Sequence, residues 1–273
     1  MRVSASCILR LPGAVLPALL LSACPLPPHA PAGPVAGAPP PAAAETPAPH
    51  EGVPYDIVAD ESLLTIRVYR GGTLASAGHN HLIALHALTG TVYVPEDVMR
   101  ASFEARIPVA ELTVDEAALR TQEHSPDFPP DVPDAAREGT RRNMLGEALL
   151  AGERNPQIVL RALRLEPAPS AAGDAGAAGG ARTSGAAGGT GTVLARVQTT
   201  VRGELRAITV PVSYRLAAGS VTASGEAPVR QSDLGLTPFS ALLGALQVQD
   251  EMRVRFRIVA RAAASAMNPS GTP

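Results

Sequence analysis

Arg253-Val254-Arg255-Phe256-Arg257-Ile258 alternates strictly between charged and apolar residues. Successive side chains of a strand point to opposite faces, so the arginines face water and the apolar residues face an interior. Ala101 to Ile107 repeats the pattern, with Phe103, Ala105 and Ile107 opposed to Ser102, Glu104 and Arg106. The two segments together place Phe103, Ile107, Val254, Phe256 and Ile258 on an apolar face. Further strands are predicted over 55–59, 63–70, 81–88, 90–94, 157–166, 193–202, 205–216 and 219–229. Turn residues part them at Gly71-Gly72, Pro95-Glu96-Asp97 and Ala218-Gly219. Many short alternating strands predict an all-β domain, a sandwich or a barrel. One strong helix interrupts them. Asp134 to Leu150 sets Met144, Leu145, Ala148 and Leu149 on one stripe, with Gly152 as its stop and Pro156 beyond. A shorter helix is predicted over 115–121. The strong helix is expected near an end of the sheet structure, as a lid.

Composition narrows the function. The 273 residues carry 23 basic and 25 acidic side chains, and every basic one is arginine. A net charge of −2 argues against general nucleic-acid binding, which needs a cationic excess. Four tyrosines, four phenylalanines and no tryptophan leave little for base stacking. The 25 glycines and 27 prolines are too many for a chain that is packed core throughout. No unbroken apolar run is long enough for a membrane-spanning helix.

The first residues read as an address. Arg2 and Arg10 precede a short apolar run from Leu11 to Ala23, the pattern of a secretory signal over residues 1–23. It ends in Leu21-Ser22-Ala23-Cys24, which resembles the lipobox of bacterial lipoproteins. Small residues admit the peptidase, and the Cys24 thiol accepts the lipid. Cys7 lies inside the signal, so the mature chain would hold no disulfide. Pro25 follows the lipidated cysteine, where an aspartate would signal inner-membrane retention, so the expected location is the periplasmic face of the outer membrane. Residues 25–54 hold eleven prolines among many alanines and read, with Cys24, as an extended tether over 24–54. At ~3.1 Å per residue it would reach roughly 90 Å. Ala, Gly and Ser dominate 167–191, an expected disordered loop, and 263–273 is an expected disordered tail. The domain is therefore placed at 55–262.

Little of this carries catalytic chemistry. There is no G-x-S-x-G elbow, Walker loop, H-E-x-x-H or paired-cysteine spacing. Without lysine, Schiff-base chemistry is excluded. No catalytic residue is assigned and no cofactor is required. Gly78-His79-Asn80-His81 puts two imidazoles at i and i+2, on one face of a strand, where they could share a metal. A third ligand is needed, and Glu104, Asp233 and His124 are not distinguished by spacing. The alternative is that both histidines hydrogen-bond at a turn or strand end. His86 would face the other way. The arginine rows of 100–106 and 253–257 read as solvated strand faces.

The order of segments then becomes telling. Tyr55-Asp56-Ile57 is followed by Ser62-Leu63-Leu64-Thr65-Ile66, Gly78-His79-Asn80-His81 and Leu88-Thr89-Gly90-Thr91-Val92. Arg142-Asn143-Met144-Leu145 leads to Asn155-Pro156-Gln157-Ile158. Arg202-Gly203-Glu204-Leu205, Arg230-Gln231-Ser232-Asp233-Leu234-Gly235-Leu236 and Asp250-Glu251-Met252-Arg253-Val254 close the series. The set resembles the YceI-like family of lipid- and polyisoprenoid-binding proteins. The resemblance implies an extended, antiparallel, lipocalin-like barrel of about eight strands around an apolar tunnel, holding an isoprenoid such as a quinone tail. The histidine pair, the long Ala/Gly loop and the lipid anchor depart from the best-known members.

Three functions are weighed. The first is non-enzymatic binding of an isoprenoid or other long-chain amphiphile, as a carrier or scavenger anchored in the envelope. The second is a metal-dependent or redox-linked activity at His79 and His81. The third is a ligand-free envelope interaction module. Expected partners are a lipid and the membrane holding the anchor, with homodimerisation left open.

Overall fold

Followed from strand to strand, the backbone hydrogen bonds return to their starting point. The computed structural model describes residues 45–169 and 188–263. The signal peptide, Cys24, the tether up to residue 44, the core of the Ala/Gly loop and all but the first residue of the tail lie outside them. The strands are β1 (Val53–Ile57), β2 (Leu63–Gly71), β3 (His81–Leu85), β4 (Thr89–Val94), β5 (Ser102–Pro108), β6 (Thr113–Val114), β7 (Gln157–Pro167), β8 (Gly189–Val201), β9 (Glu204–Ala217), β10 (Ser220–Arg230), β11 (Ser240–Ala241) and β12 (Leu246–Ala262). The order β1-β4-β5-β7-β8-β9-β10-β12 closes because β12 also pairs with β1. This is an all-antiparallel barrel of eight strands, as expected.

Three of its walls are interrupted. β1 and β2 lie end to end along one edge of β12, at Ala260–Ala262 and Gln247–Arg257 respectively. β4 pairs with β1 while β3 pairs with β2. β5 pairs with β4 while β6 pairs with β3. At the end holding β2, β3 and β6, no ladder joins β6 to β7 among the described residues. The helices α1 (Ala117–Gln122) and α2 (Asp134–Leu145) belong to the segment between those two strands. Met144, Leu145, Leu149 and Leu150 pack with Leu112 and Val114 and seal that end of the wall.

Helix α2 is shorter than the expected Asp134–Leu150. It ends at Leu145, because Gly146 leaves in the extended conformation (φ −68°, ψ 167°). The Leu150 N–H then reaches back to Met144 O, and Ala151 N–H to Gly146 O. Leu149 and Leu150 are thus delivered to the core by a turn, and Ala148 is exposed rather than on the helix stripe. Asp134 in the first turn and Arg142 in the last complement the helix dipole.

The second departure concerns the Ala/Gly loop. β7 runs on to Pro167, and β8 begins at Gly189. Gly189-Thr190-Gly191 pairs with Leu216, Arg215 and Tyr214 of β9. Gly191 is needed there, since a Cβ would sit 2.6 Å from the Tyr214 hydroxyl. The domain also begins before Tyr55. Glu45 bonds Arg196 and Arg164, the Ala48 N–H bonds Ala162 O, and the Ser102 hydroxyl donates to Pro49 O. Residues 45–52 are therefore laid on the outer wall. The Arg196 guanidinium holds the Glu45 carboxyl below its ordinary value.

Local chemistry explains the ladders. β8 and β9 join through Arg202 and Gly203, both at positive φ (53° and 77°), as a tight hairpin turn requires. In β7 a bulge between Ala162 and Arg164 shifts the parity, so Ile158 and Leu160 point inward before it and Leu165 after it. The β9–β10 ladder runs only from Ser213–Ser224 to Ala217–Ser220. Pro211, with no N–H to give, stands just past its last rung. Beyond it β9 and β10 part. The turn Ser232–Leu234 packs there, with Leu234 and Leu236 in the core.

Gly90 is a close approach that only glycine tolerates. Its φ is 144°, and a Cβ would lie 2.1 Å from Glu104 O on β5. Gly90→Ala is expected to lower unfolding stability by about 1–3 kcal/mol, read as a lower urea midpoint at unchanged slope.

Candidate functional site

The barrel interior is not filled. A cavity of about 600 Å³ runs along it. Along β12 the inward residues Val254, Phe256 and Ile258 are only half-buried, although they lie inside a closed wall. Inward side chains in a filled barrel interdigitate and lose their accessible surface. Here small residues leave room: Ala195 on β8, Ala223 on β10, and Gly225 facing the Phe256 ring. All five lining residues read from alternation, Phe103, Ile107, Val254, Phe256 and Ile258, line this cavity. Val92, Val193, Leu216, Val221 and others continue the apolar wall toward the β1 end, where Val94, Val221 and Ala260 form a buried apolar cluster.

Polar side chains gather at the other end. Arg70, His79, His81, Thr140, Asn143, Gln231 and Gln247 line the cavity there, while Ser102, Thr199 and Tyr214 stand elsewhere on the wall. The register fixes this end. Gly71 pairs with Gln247, and His81 with Val68. His79 and Gln247 are exposed, so the cavity opens here. Arg70 is held at the rim by its own contacts: its N–H bonds Asn80 Oδ1 and its guanidinium donates to Gly78 O.

One buried chain of polar groups supports the open end. His81 Nδ1 lies 2.6 Å from Asp115 Oδ2, and His81 Nε2 lies 3.0 Å from the Thr140 hydroxyl of α2. Asp115 also accepts from the Leu82 N–H (2.8 Å) and from Arg120 (2.6 Å). Arg120 donates in addition to Asn80 O and Pro129 O, and its guanidinium stands over the Phe128 ring. Asp115 and Arg120 are fully buried. A neutral ring that gives its Nδ1–H to Asp115 would present Nε2 as an acceptor for the Thr140 hydroxyl. The chain fixes the imidazole and ties α2 to β3 at the cavity.

The histidine pair forms no chelate in this arrangement. Its rings lie 6.2 Å apart, tilted by 51°, and both nitrogens of His81 are engaged by the protein. Among the described residues no three His, Cys, Asp or Glu side chains are grouped to hold a metal. Glu104 bridges Arg161 and Arg106 instead. His124 and Asp233 are exposed on loops, and His86 meets Glu116 on the outside. The arginines of β12 are also occupied: Arg255 pairs with Glu226, and Arg257 donates to Glu61 O.

Burial pushes the Asp115 carboxyl up, but the hydrogen bonds from His81 and Leu82 and the charge of Arg120 outweigh it, and it is held below its ordinary value. Its contribution to stability is complete above the ordinary carboxyl value of about 3.9 and is lost as pH falls through the lower folded value. Asp115→Asn leaves Arg120 buried without a counter-charge. The variant is expected to lose about 3 kcal/mol at neutral pH and to show a flatter loss of stability toward acid, both measured by urea unfolding across pH.

The YceI-like domain model matches residues 55–260. Among solved structures, Burkholderia cenocepacia BcnA is 15% identical, over 75% of this chain and 99% of its own, with a TM-score of 0.49. A polyisoprenoid binding domain from Saccharophagus degradans, implicated in plant cell wall breakdown, is 12% identical over 77% and 99%, at 0.47. A Campylobacter jejuni YCEI protein is 8% identical over 64% and 81%, at 0.40. A comparison with curated protein sequences gives no match. The family match runs from within β1 to within β12, and the chain belongs to the YceI-like family.

Proposed function

We propose that the barrel binds an isoprenoid or other long-chain amphiphile without turning it over, as an envelope-anchored carrier or scavenger. The observation that carries this is the division of the cavity: an apolar interior, with polar groups gathered at the end framed by Gly71 and Gln247. An amphiphile matches that division, with its chain inside and its head beside Arg70, His79 and Asn143. Each CH₂ taken from water supplies about 0.8 kcal/mol before ordering costs. A quinone or polyprenol tail fits a slender cavity better than a broad ligand does. Cys24, as the lipid acceptor, would hold the protein at the periplasmic face of the outer membrane, and two or more acyl chains suffice for stable anchoring.

Native mass spectrometry of the protein from a bacterial host, followed by solvent extraction, tests the binding. A discrete added mass that extracts as an isoprenoid is expected. Ala195 faces the cavity from β8 and is buried, so Ala195→Phe fills the space. It is expected to cut the bound fraction about tenfold, a change of roughly 1.4 kcal/mol. A protein that stays empty after incubation with quinones and polyprenols would sink the reading. For the anchor, Cys24→Ser is expected to move the protein from the membrane pellet to the soluble periplasmic fraction. Retention in the pellet would refute Cys24 as the attachment point.

A further inference from the structure

Two loops frame the open end of the cavity, one over residues 72–80 between β2 and β3, the other over 231–245 between β10 and β12. They are tied together: the Leu74 N–H donates to Ala245 O at 2.8 Å, and Gly78 lies against the Leu246 side chain. Six large apolar residues are exposed among the described residues, and four of them stand on these loops. They are Leu74 (44% exposed), Phe239 (38%), Leu242 (67%) and Leu243 (109%). Phe239 also lines the cavity, so the exposed apolar surface is continuous with the interior.

The backbone at the tip is unusual. Leu242 and Leu243 both take left-handed conformations (φ 52° and 55°), and Gly244 follows at 88°. Side chains with a Cβ avoid this region. Two consecutive leucines hold it, and the result is to turn Leu243 wholly outward. Charge is sparse on the same loops, with Asp233 at the start of the second and Arg70 just before the first. Neither Gly71–Asn80 nor Leu234–Gln249 contains a single Asp, Glu or Arg, in a chain that is 18% charged. A protein-binding patch is an apolar core with a polar, charge-bearing rim. An uncharged leucine tip flanked by an aromatic ring suits the acyl region of a bilayer, where charge is expelled.

We propose that this rim is a membrane-docking surface. Leu242, Leu243, Leu74 and Phe239 enter the acyl region of a phospholipid bilayer and set the cavity mouth at its interface. A hydrophobic ligand would then pass between bilayer and cavity without crossing water. Bilayer contact stands whether or not the cavity holds a lipid, and it is measured separately from ligand extraction.

The chain has no tryptophan, so single tryptophans report without background. Leu243→Trp places one at the tip, where the side chain packs against nothing it would disturb. Ala218→Trp places one on the exposed hairpin between β9 and β10 at the opposite end. The full chain carrying each is mixed with vesicles of phosphatidylethanolamine and phosphatidylglycerol, with and without phosphatidylcholine brominated in its acyl chains. Tip emission is expected to shift to the blue and to lose most of its intensity with brominated lipid, while the hairpin reporter is unchanged. Adding Leu242→Ser to the tip reporter is expected to weaken the quenching. Because an anchor would bring both reporters near the vesicle, the difference between them reads insertion. Equal quenching of both, or of neither, overturns the proposal. A blue shift that grows with protein concentration in the absence of vesicles also overturns it, and assigns the rim to a second copy of the chain.

Discussion

Closure of the backbone ladder is the constraint on which the rest depends. β12 carries it, bonded along one edge to β10 and along the other to β2 and then β1. Along its rungs the wall pairs its own N–H and C=O groups, and edges remain where β6 meets β7 and where β9 and β10 part. Rigidity then comes from the wall, and the interior is released from the task of filling itself. That is why half-buried valines and small residues inside are compatible with a folded barrel. The outer face contributes less. Its arginines pair with acids on neighbouring strands, and exposed pairs of this kind are worth about 0–1 kcal/mol each.

The open end is built at greater cost. Asp115 and Arg120 are both taken out of water, and only multiple hydrogen bonds make that tolerable. Their position explains the expense. Asp115 orients His81 and grips the Leu82 N–H, so two adjacent residues of β3 are held from one carboxylate. Through Thr140 the same chain reaches α2, which stands where the wall lacks a β6–β7 ladder. The polar chain substitutes for the missing rungs.

Strict alternation made much of this legible. The arginine-rich segment of β12 and the facing run of β5 gave the inward residues directly, since period two leaves no other choice once one face is charged. β7 was legible as a strand but not in its parity, because a bulge has no residue signature. The two-residue strands β6 and β11 are too short to show a period. Gly189-Thr190-Gly191 looked like the loop it follows, and its strand conformation comes from pairing with Tyr214, Arg215 and Leu216 of the adjacent β9. The helix overran its end because Gly146 and Gly152 offer equal stop signals, and tertiary packing of Leu150 decides between them. His79 and His81 were visible, but Asp115 and Thr140 lie 34 and 59 residues from His81. No spacing rule joins residues that only the β3–β6 pairing and the packing of α2 bring together.

The parting of β9 and β10 beyond Pro211 changes how the barrel can be thought of mechanically. Apart from the β6–β7 gap, the rest of the circumference is joined by rungs, and altering it means breaking backbone hydrogen bonds. Along residues 204–211 and 225–230 there are none between the two strands to break. The gap is packed by Leu234, at the end of the 3-10 turn Ser232–Leu234, and by Leu236 two residues on. At this seam side-chain packing, not backbone pairing, stands between the two strands. On that side the cavity is bounded by the packing of two leucines rather than by backbone rungs.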